Sequence, residues 1–197
     1  MPIPRHRHAR THDLRERMET TCGDRKALIT FDDVIFRSVK REFASADEMV
    51  SGTGSAMCGG RFNPKGVPAV YGSLAPETAF GEAIDWYRRQ GLPAQEAMPR
   101  VDVAMDVLLQ KSLDLRHPET IERLGLTVVD LMEEWESAQQ SNQEALSQCV
   151  GRIAAEMGIQ GLLYPSARVE DATNLVIFPP CLDEECMLAP QGINGVD

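Results

Sequence analysis

Between Gly59 and Glu82 the chain reads GGRFNPKGVPAVYGSLAPETAFGE, and this stretch tolerates few folds. Its polar residues repeat at neither the helix nor the strand period. Asn63-Pro64-Lys65-Gly66 has turn chemistry, because proline presets one dihedral and glycine accepts a positive one. Val67 to Tyr71 then reads as a short strand ending in an aromatic. Pro76 suits the first turn of a helix, where its missing N–H is not needed, and Gly91 marks the stop after Gln90. The stretch therefore predicts a ligand-contacting loop, a strand and a helix in direct succession. The rest of the chain must supply the sheet and walls that hold them. The helix's apolar stripe is Ala79, Phe80, Ala83, Ile84 and Tyr87. Glu82 falls off the centre of that stripe and, taken alone, reads as a solvated surface glutamate.

The sheet has clear candidates. Arg100 to Leu108 alternates apolar Val101, Val103, Met105 and Val107 with polar or small residues, the pattern of a half-buried strand, and Ser112 to Leu115 extends it. Asp33 to Val39 reads as a strand around Val34, Ile35 and Phe36. Arg37 follows that apolar run, either as a solvated edge residue or as a group pointing into a cleft. Gly161 to Tyr164 and Asn174 to Phe178 are short apolar strands flanking a Pro165-Ser166-Ala167-Arg168 turn, a hairpin near the end of the sheet. Helices are expected after His117-Pro118, after Thr127 with Asp130 as a capping box, and after Ser141 with Glu144 in the same relation. The stripe of the last helix is Leu146, Cys149, Val150, Ile153, Ala154 and Met157. Ala44 to Gly60 is rich in Gly and Ser and reads as a loop.

A chain of 197 residues fits one domain with a tail at either end. Residues 1–30 read as a mobile basic arm in which His6, His8 and His12 interleave with Arg5, Arg7 and Arg10; residues 31–180 are the globular part and 181–197 an extension. The arm's histidines have no carboxylate or cysteine at a ligand spacing, so no metal is expected. A formal charge of −10 argues against broad binding of nucleic acid or anionic membranes. It leaves room for a small anionic ligand held by one or two arginines. The five cysteines form no CxxC pair, and the start has no apolar core of the kind a signal peptide needs. Reduced thiols in a cytoplasm are expected, and no apolar run is long enough to span a membrane.

The residues that carry chemistry are Arg37, Arg61, Tyr71, Glu82 and Ser166, at strand ends, in loops or near a helix start. Arg61 beside two glycines suits a diphosphate: the backbone approaches closely and the guanidinium donates in a fork. Tyr71 offers a face for a flat heterocycle, and Ser166 a hydroxyl for the ligand or for Glu82. A carboxylate such as Glu82 can stabilise a developing cationic sugar or activate a nucleophile at an anomeric carbon. Neither GxGxxG nor GxxxxGK[ST] occurs, so Rossmann and P-loop readings fail. His117 has no nucleophile elbow to serve.

Taken together, GGRFNPKGVPAVYGS, ETAFGEAI, GIQGLLYPSAR and NLVIFPP resemble the RES family, named for an arginine, a glutamate and a serine that map onto Arg61, Glu82 and Ser166. The family's first motif is usually GRWN, and Phe62 keeps an aromatic there; Ala172-Thr173 stands where a glycine commonly precedes the NLVIF strand. The resemblance implies an α+β fold similar to ADP-ribosyltransferases, with a split, mainly antiparallel sheet and helices around an NAD cleft. It implies a bacterial toxin that arrests growth by cleaving the nicotinamide–ribose bond of NAD⁺, with water or phosphate as acceptor, and that an Xre-type antitoxin neutralises. The alternatives are transfer of ADP-ribose to a protein such as a phosphoribosyl-pyrophosphate synthetase, and a non-catalytic RES-like binding module. Oligomers through the antitoxin are compatible with it. On this resemblance Arg61 contacts diphosphate or ribose, Tyr71 the nicotinamide side, Glu82 supports the oxocarbenium-like transition state, Ser166 binds or orients, and Arg37 is a second anion contact.

Overall fold

The computed structural model describes residues 5–24, 27–89, 91–166, 169 and 171–192. Residues 1–4 of the expected arm, Ala167 and Arg168 of the PSAR turn, and residues 193–197 of the expected extension lie outside these.

Six strands, β1 (Leu28–Lys40), β2 (Val70–Ser73), β3 (Arg100–Asp114), β4 (Gly161–Pro165), β5 (Thr173–Ile177) and β6 (Met187–Pro190), form one sheet in the order β1-β2-β5-β4-β3-β6. The helices are α1 (Arg5–Gly23), α2 (Ala46–Ser51), α3 (Thr53–Cys58), α4 (Pro76–Arg89), α5 (Pro118–Arg123), α6 (Val128–Met132), α7 (Trp135–Gln140) and α8 (Leu146–Glu156). Only the β3–β4 pairing is parallel among the described residues. β1 also pairs with β3 along most of its length, so β1, β2, β5, β4 and β3 are linked in a closed circuit. The link between β1 and β2 is a single register pair, Phe36 with Ser73. That narrow seam is where the sheet parts.

Period-two alternation divides the core between the two faces of the sheet. Leu162, Tyr164, Val176 and Phe178 face a cluster completed by Leu14, Met18, Phe62, Leu124, Leu131, Val150 and Ile153. Leu163, Leu175 and Ile177 face the other cluster, with Ile35, Met49, Val70, Met105 and Leu109. Phe62 is fully buried, and its ring lies 4.6 Å from that of Tyr164, which explains why an aromatic occupies this motif position.

Three expectations change. The segment expected as a mobile arm holds a helix: α1 packs on α5 and α8, with Leu14 and Met18 buried and Cys22 packed against them. These residues recur every fourth position, a narrow stripe masked by polar neighbours. Arg15 pairs with Glu156 and Arg123 with Asp24, which ties the helix down. Ala44 to Gly60 is not a loop but two short helices. Ser45 accepts from the Glu48 amide to start α2, and Gly52, at φ 68°, joins it to α3. The residues after 180 are not simply a tail, because Met187–Pro190 pairs antiparallel with β3. A proline is tolerated there because β6 is an edge strand.

Expected outcome: Met18→Ala lowers stability by about 2–5 kcal/mol through a buried cavity, read as the shift of a urea unfolding midpoint. A midpoint unchanged from wild type would return α1 to the status of a loose arm.

Candidate active site

The site is built where the β1–β2 seam meets α4. Arg37, Arg61, Tyr71 and Glu82 all line one cleft of about 290 Å³, together with Trp135, Tyr164 and Asn174. Ser166 reaches it through Glu82: its Oγ donates to Glu82 Oε1 at 2.6 Å. The structure thus brings all five sequence candidates together. Glu82 is half-buried and belongs to the cleft, although it lies off the apolar stripe that seats α4. A helix residue at the margin of a packed face borders both core and solvent, and here the border is the cleft.

Glu82 is fixed by two donors on one oxygen. Besides Ser166, Asn174 Nδ2 donates to Oε1 at 2.9 Å. Asn174 is itself oriented by Ser73, whose Oγ donates to Asn174 Oδ1 at 2.6 Å. Ser73 and Asn174 are buried and stand opposite each other in the β2–β5 register. With Oδ1 taken as acceptor, the amide presents its N–H to the glutamate. Oε2 accepts no hydrogen bond among the described residues, so one carboxylate oxygen is held and the other is available to a ligand.

The arginine loop is held from beneath. The Gly60 amide donates to the Asn63 carbonyl at 2.8 Å, and Asn63 Nδ2 donates to the carbonyls of Ser55 and Val67 at 2.9 and 2.8 Å. Tyr71 braces the same loop: its hydroxyl accepts from the Phe62 amide at 2.9 Å and donates to Asn63 Oδ1 at 2.7 Å. Burial pushes its phenol well up from the ordinary tyrosine range, so it stays a neutral donor. Its polar end is committed to the loop, and only its ring is left for a ligand. Gly60 is required here, since a Cβ would stand 2.6 Å from Tyr71 Oη. From α8, buried Gln148 donates through Nε2 to the carbonyls of Gly60 and Asn63 at 3.1 and 3.3 Å. A Cβ at Gly151 would lie 1.7 Å from the Phe62 carbonyl oxygen, so only glycine lets α8 pass this close under the loop.

Both arginines rest on backbone carbonyls. Arg61 donates through Nη1 to the carbonyls of Leu131 and Glu133, at 3.0 and 3.3 Å, where α6 gives way to α7. Arg37 donates to the Met49 carbonyl, and burial pushes its guanidinium down to about 10, which leaves it charged at neutral pH. Opposite, Arg89 of α4 pairs with Asp85 at 3.1 Å and with Glu136 of α7, next to Trp135. Two cations, an oriented carboxylate and aromatic walls suit an anionic, ring-containing ligand. No cluster of His, Cys, Asp and Glu able to hold a metal occurs among the described residues. His117 is exposed beside Asp114 and does not line the cleft.

Asn174, Ser73, Gln148 and Gly151 belong to the site with no motif of their own to mark them. Asn174 carried a faint signal, as a polar residue opening an apolar strand. Ser73 has meaning only through the register that sets it against Asn174, and Gln148 and Gly151 lie on a helix remote in sequence.

A family model for the RES domain matches residues 34–192. No curated protein matches the chain. Among solved structures, a chain from the crystal structure of the M. tuberculosis MbcT–MbcA toxin–antitoxin complex aligns with a TM-score of 0.66 at 21% identity, covering 89% of this chain and 88% of that one. The likeness bears on the fold, a mixed α+β architecture around one mainly antiparallel sheet. No helix among the described residues is long and apolar enough to cross a membrane.

Expected outcome: Gly151→Ala forces the Phe62 carbonyl away from α8, costs about 1–3 kcal/mol by overpacking, and shifts the backbone amide NMR signals of Gly60 to Asn63. Signals that stay in place would show that α8 does not set the loop.

Proposed function

The chain belongs to the RES domain family, and from that premise we propose that it is the toxin of a toxin–antitoxin pair and cleaves NAD⁺ at the nicotinamide–ribose bond. The observation that carries this reading is Glu82, turned into the cleft with Oε1 fixed by Ser166 and Asn174. The bond that breaks joins the nicotinamide nitrogen to the ribose anomeric carbon. Its electron pair stays on the nitrogen and neutralises the pyridinium. The positive charge left behind spreads over the anomeric carbon and the ring oxygen, and the Glu82 carboxylate stabilises it. Pre-orientation matters because a carboxylate already in place need not reorganise during the reaction. Arg37 and Arg61 counter the diphosphate, and the Tyr71 ring lines the nicotinamide side. Water or phosphate then adds to the anomeric carbon, giving ADP-ribose or its 1-phosphate ester.

The structural neighbour is titled a toxin–antitoxin complex, which supports an antitoxin as this chain's partner; we take it to be of the Xre type. The proposed place of action is the cytoplasm, where NAD⁺ is at hand.

Purified protein incubated with NAD⁺, with and without cell lysate, tests the chemistry. Free nicotinamide without a labelled protein is the expected result. A labelled band would instead make the chain a mono-ADP-ribosyltransferase. No turnover under either condition would overturn both and leave a binding module. Glu82→Ala is expected to abolish growth arrest in an induction assay while the protein keeps its unfolding midpoint; full toxicity of this variant would remove Glu82 from the chemistry. Asn174→Ala loses a hydrogen bond to a charged group, about 1.5–3 kcal/mol, and is expected to lower kcat roughly 10- to 100-fold with KM little changed. An unaltered kcat would show that Ser166 alone orients Glu82.

A further inference from the structure

Three polar residues stand in one row across the sheet. Ser73 of β2, Asn174 of β5 and Tyr164 of β4 are register partners, so their side chains share a face. Ser73 donates to Asn174, and Asn174 donates to Glu82. Tyr164 takes no part in this chain. The residue is only 6% exposed, and its hydroxyl makes no hydrogen bond among the described residues. A buried hydroxyl without a partner costs the fold stability, and this one lines the cleft.

Tyr164 also joins the two halves of the site. Its ring packs at 4.6 Å on Phe62, the residue after Arg61, while its register partner Asn174 holds Glu82. Ser166, the other donor to Glu82, follows two residues later in the chain. Burial pushes the Tyr164 phenol far above the ordinary tyrosine range; Tyr71 and Glu82 add to the rise and Arg61 opposes it. The group is therefore a neutral O–H near neutral pH, able to donate one hydrogen bond and to accept, and unable to serve as a base. In NAD⁺ the ribose lies between the diphosphate and the scissile bond. With the diphosphate at Arg61 and the anomeric carbon at Glu82, a group seated between those two residues meets that ribose. We infer that the Tyr164 hydroxyl is a further substrate-binding group, which hydrogen-bonds one of the two hydroxyls of the ribose that carries nicotinamide. This rests on the reading of NAD⁺ as substrate and extends it from the bond that breaks to the sugar that is recognised. The substrate supplies the partner that the free protein lacks, and a site built to pair a hydroxyl rejects the analogue without it.

Tyr164→Phe provides the test, because it removes the hydroxyl and keeps the ring on Phe62. The lost group has no partner in the free protein, so the urea unfolding midpoint is expected to hold or to rise. A midpoint that falls would show that the hydroxyl serves the fold, and overturns the contact. kcat/KM for NAD⁺ is expected to fall roughly tenfold, and wild type and variant are then compared on 2′-deoxy-NAD⁺ and 3′-deoxy-NAD⁺. With one of these analogues the penalty of Tyr164→Phe is expected to vanish, since the partner hydroxyl is already gone. A penalty equal on all three substrates moves the hydroxyl to the attacking water or phosphate and overturns the ribose contact. A wild-type rate on NAD⁺ overturns it too, and leaves the catalytic reading standing. Should the protein cleave none of the three, its affinity for ADP-ribose by titration calorimetry decides: binding that Tyr164→Phe weakens about tenfold supports the contact and overturns the cleavage, and binding equal in both proteins, or absent from wild type, overturns both.

Discussion

β2 is four residues long, and its pairing with β5 positions most of the site. The register sets Tyr71 against Val176 and Ser73 against Asn174. Because side chains alternate, Tyr71 and Ser73 share one face of the sheet. One reaches the arginine loop and the other reaches the glutamate through Asn174. A slip of one residue would turn both to the opposite face and place Val70 and Gly72 where they stand. Buried Val70, Leu175 and Ile177 make such a slip costly, so core packing protects the geometry of the polar groups. Gly72 belongs to the same constraint, since a Cβ there would stand 2.6 Å from Ile35 Cδ1. β1 therefore lies close against β2 at the seam where the cleft opens.

The two halves of the cleft are rigid for different reasons. Glu82 rides on α4, and its direction is set by hydrogen bonds to one oxygen. Arg61 rides on a loop with no periodic structure, and buried amides replace the missing ladder. Asn63 and Gln148 together satisfy four backbone carbonyls around that loop, those of Ser55, Val67, Gly60 and Asn63. These side-chain bonds add to the backbone pair between Gly60 and Asn63, so the irregular turn is held from several sides. The guanidinium of Arg61 also rests on the carbonyls of Leu131 and Glu133, which binds the α6–α7 segment to the cleft wall.

Much of this was legible in the sequence because it is local. The strand–helix succession after the Asn63-Pro64 turn, the alternation in β3 and the β4–β5 hairpin each follow from neighbouring residues. The motifs gathered the five site residues, although helical spacing placed Glu82 at the surface. What escaped depends on distant partners. Leu14 and Met18 become core only because α5 and α8 lie against them. Met187–Pro190 becomes a strand only because β3 has an open edge. α2 and α3 were hidden by their glycines, one of which is the hinge between them. The expected capping box at Ser141 and Glu144 was displaced: the Ala145 amide donates to Gln148 Oε1, and Glu144 pairs with Arg152.

α8 has a different task on each side. Its inner side carries Gln148 and Gly151 under the arginine loop, while α1 covers it from another direction, with Arg15 joined to Glu156 at its end. A lesion in α1 is thereby transmitted through one helix to a loop it never touches. Under the proposed toxin reading, alleles that survive a selection for cells expressing this protein would map to the buried side of the N-terminal helix as well as to the cleft.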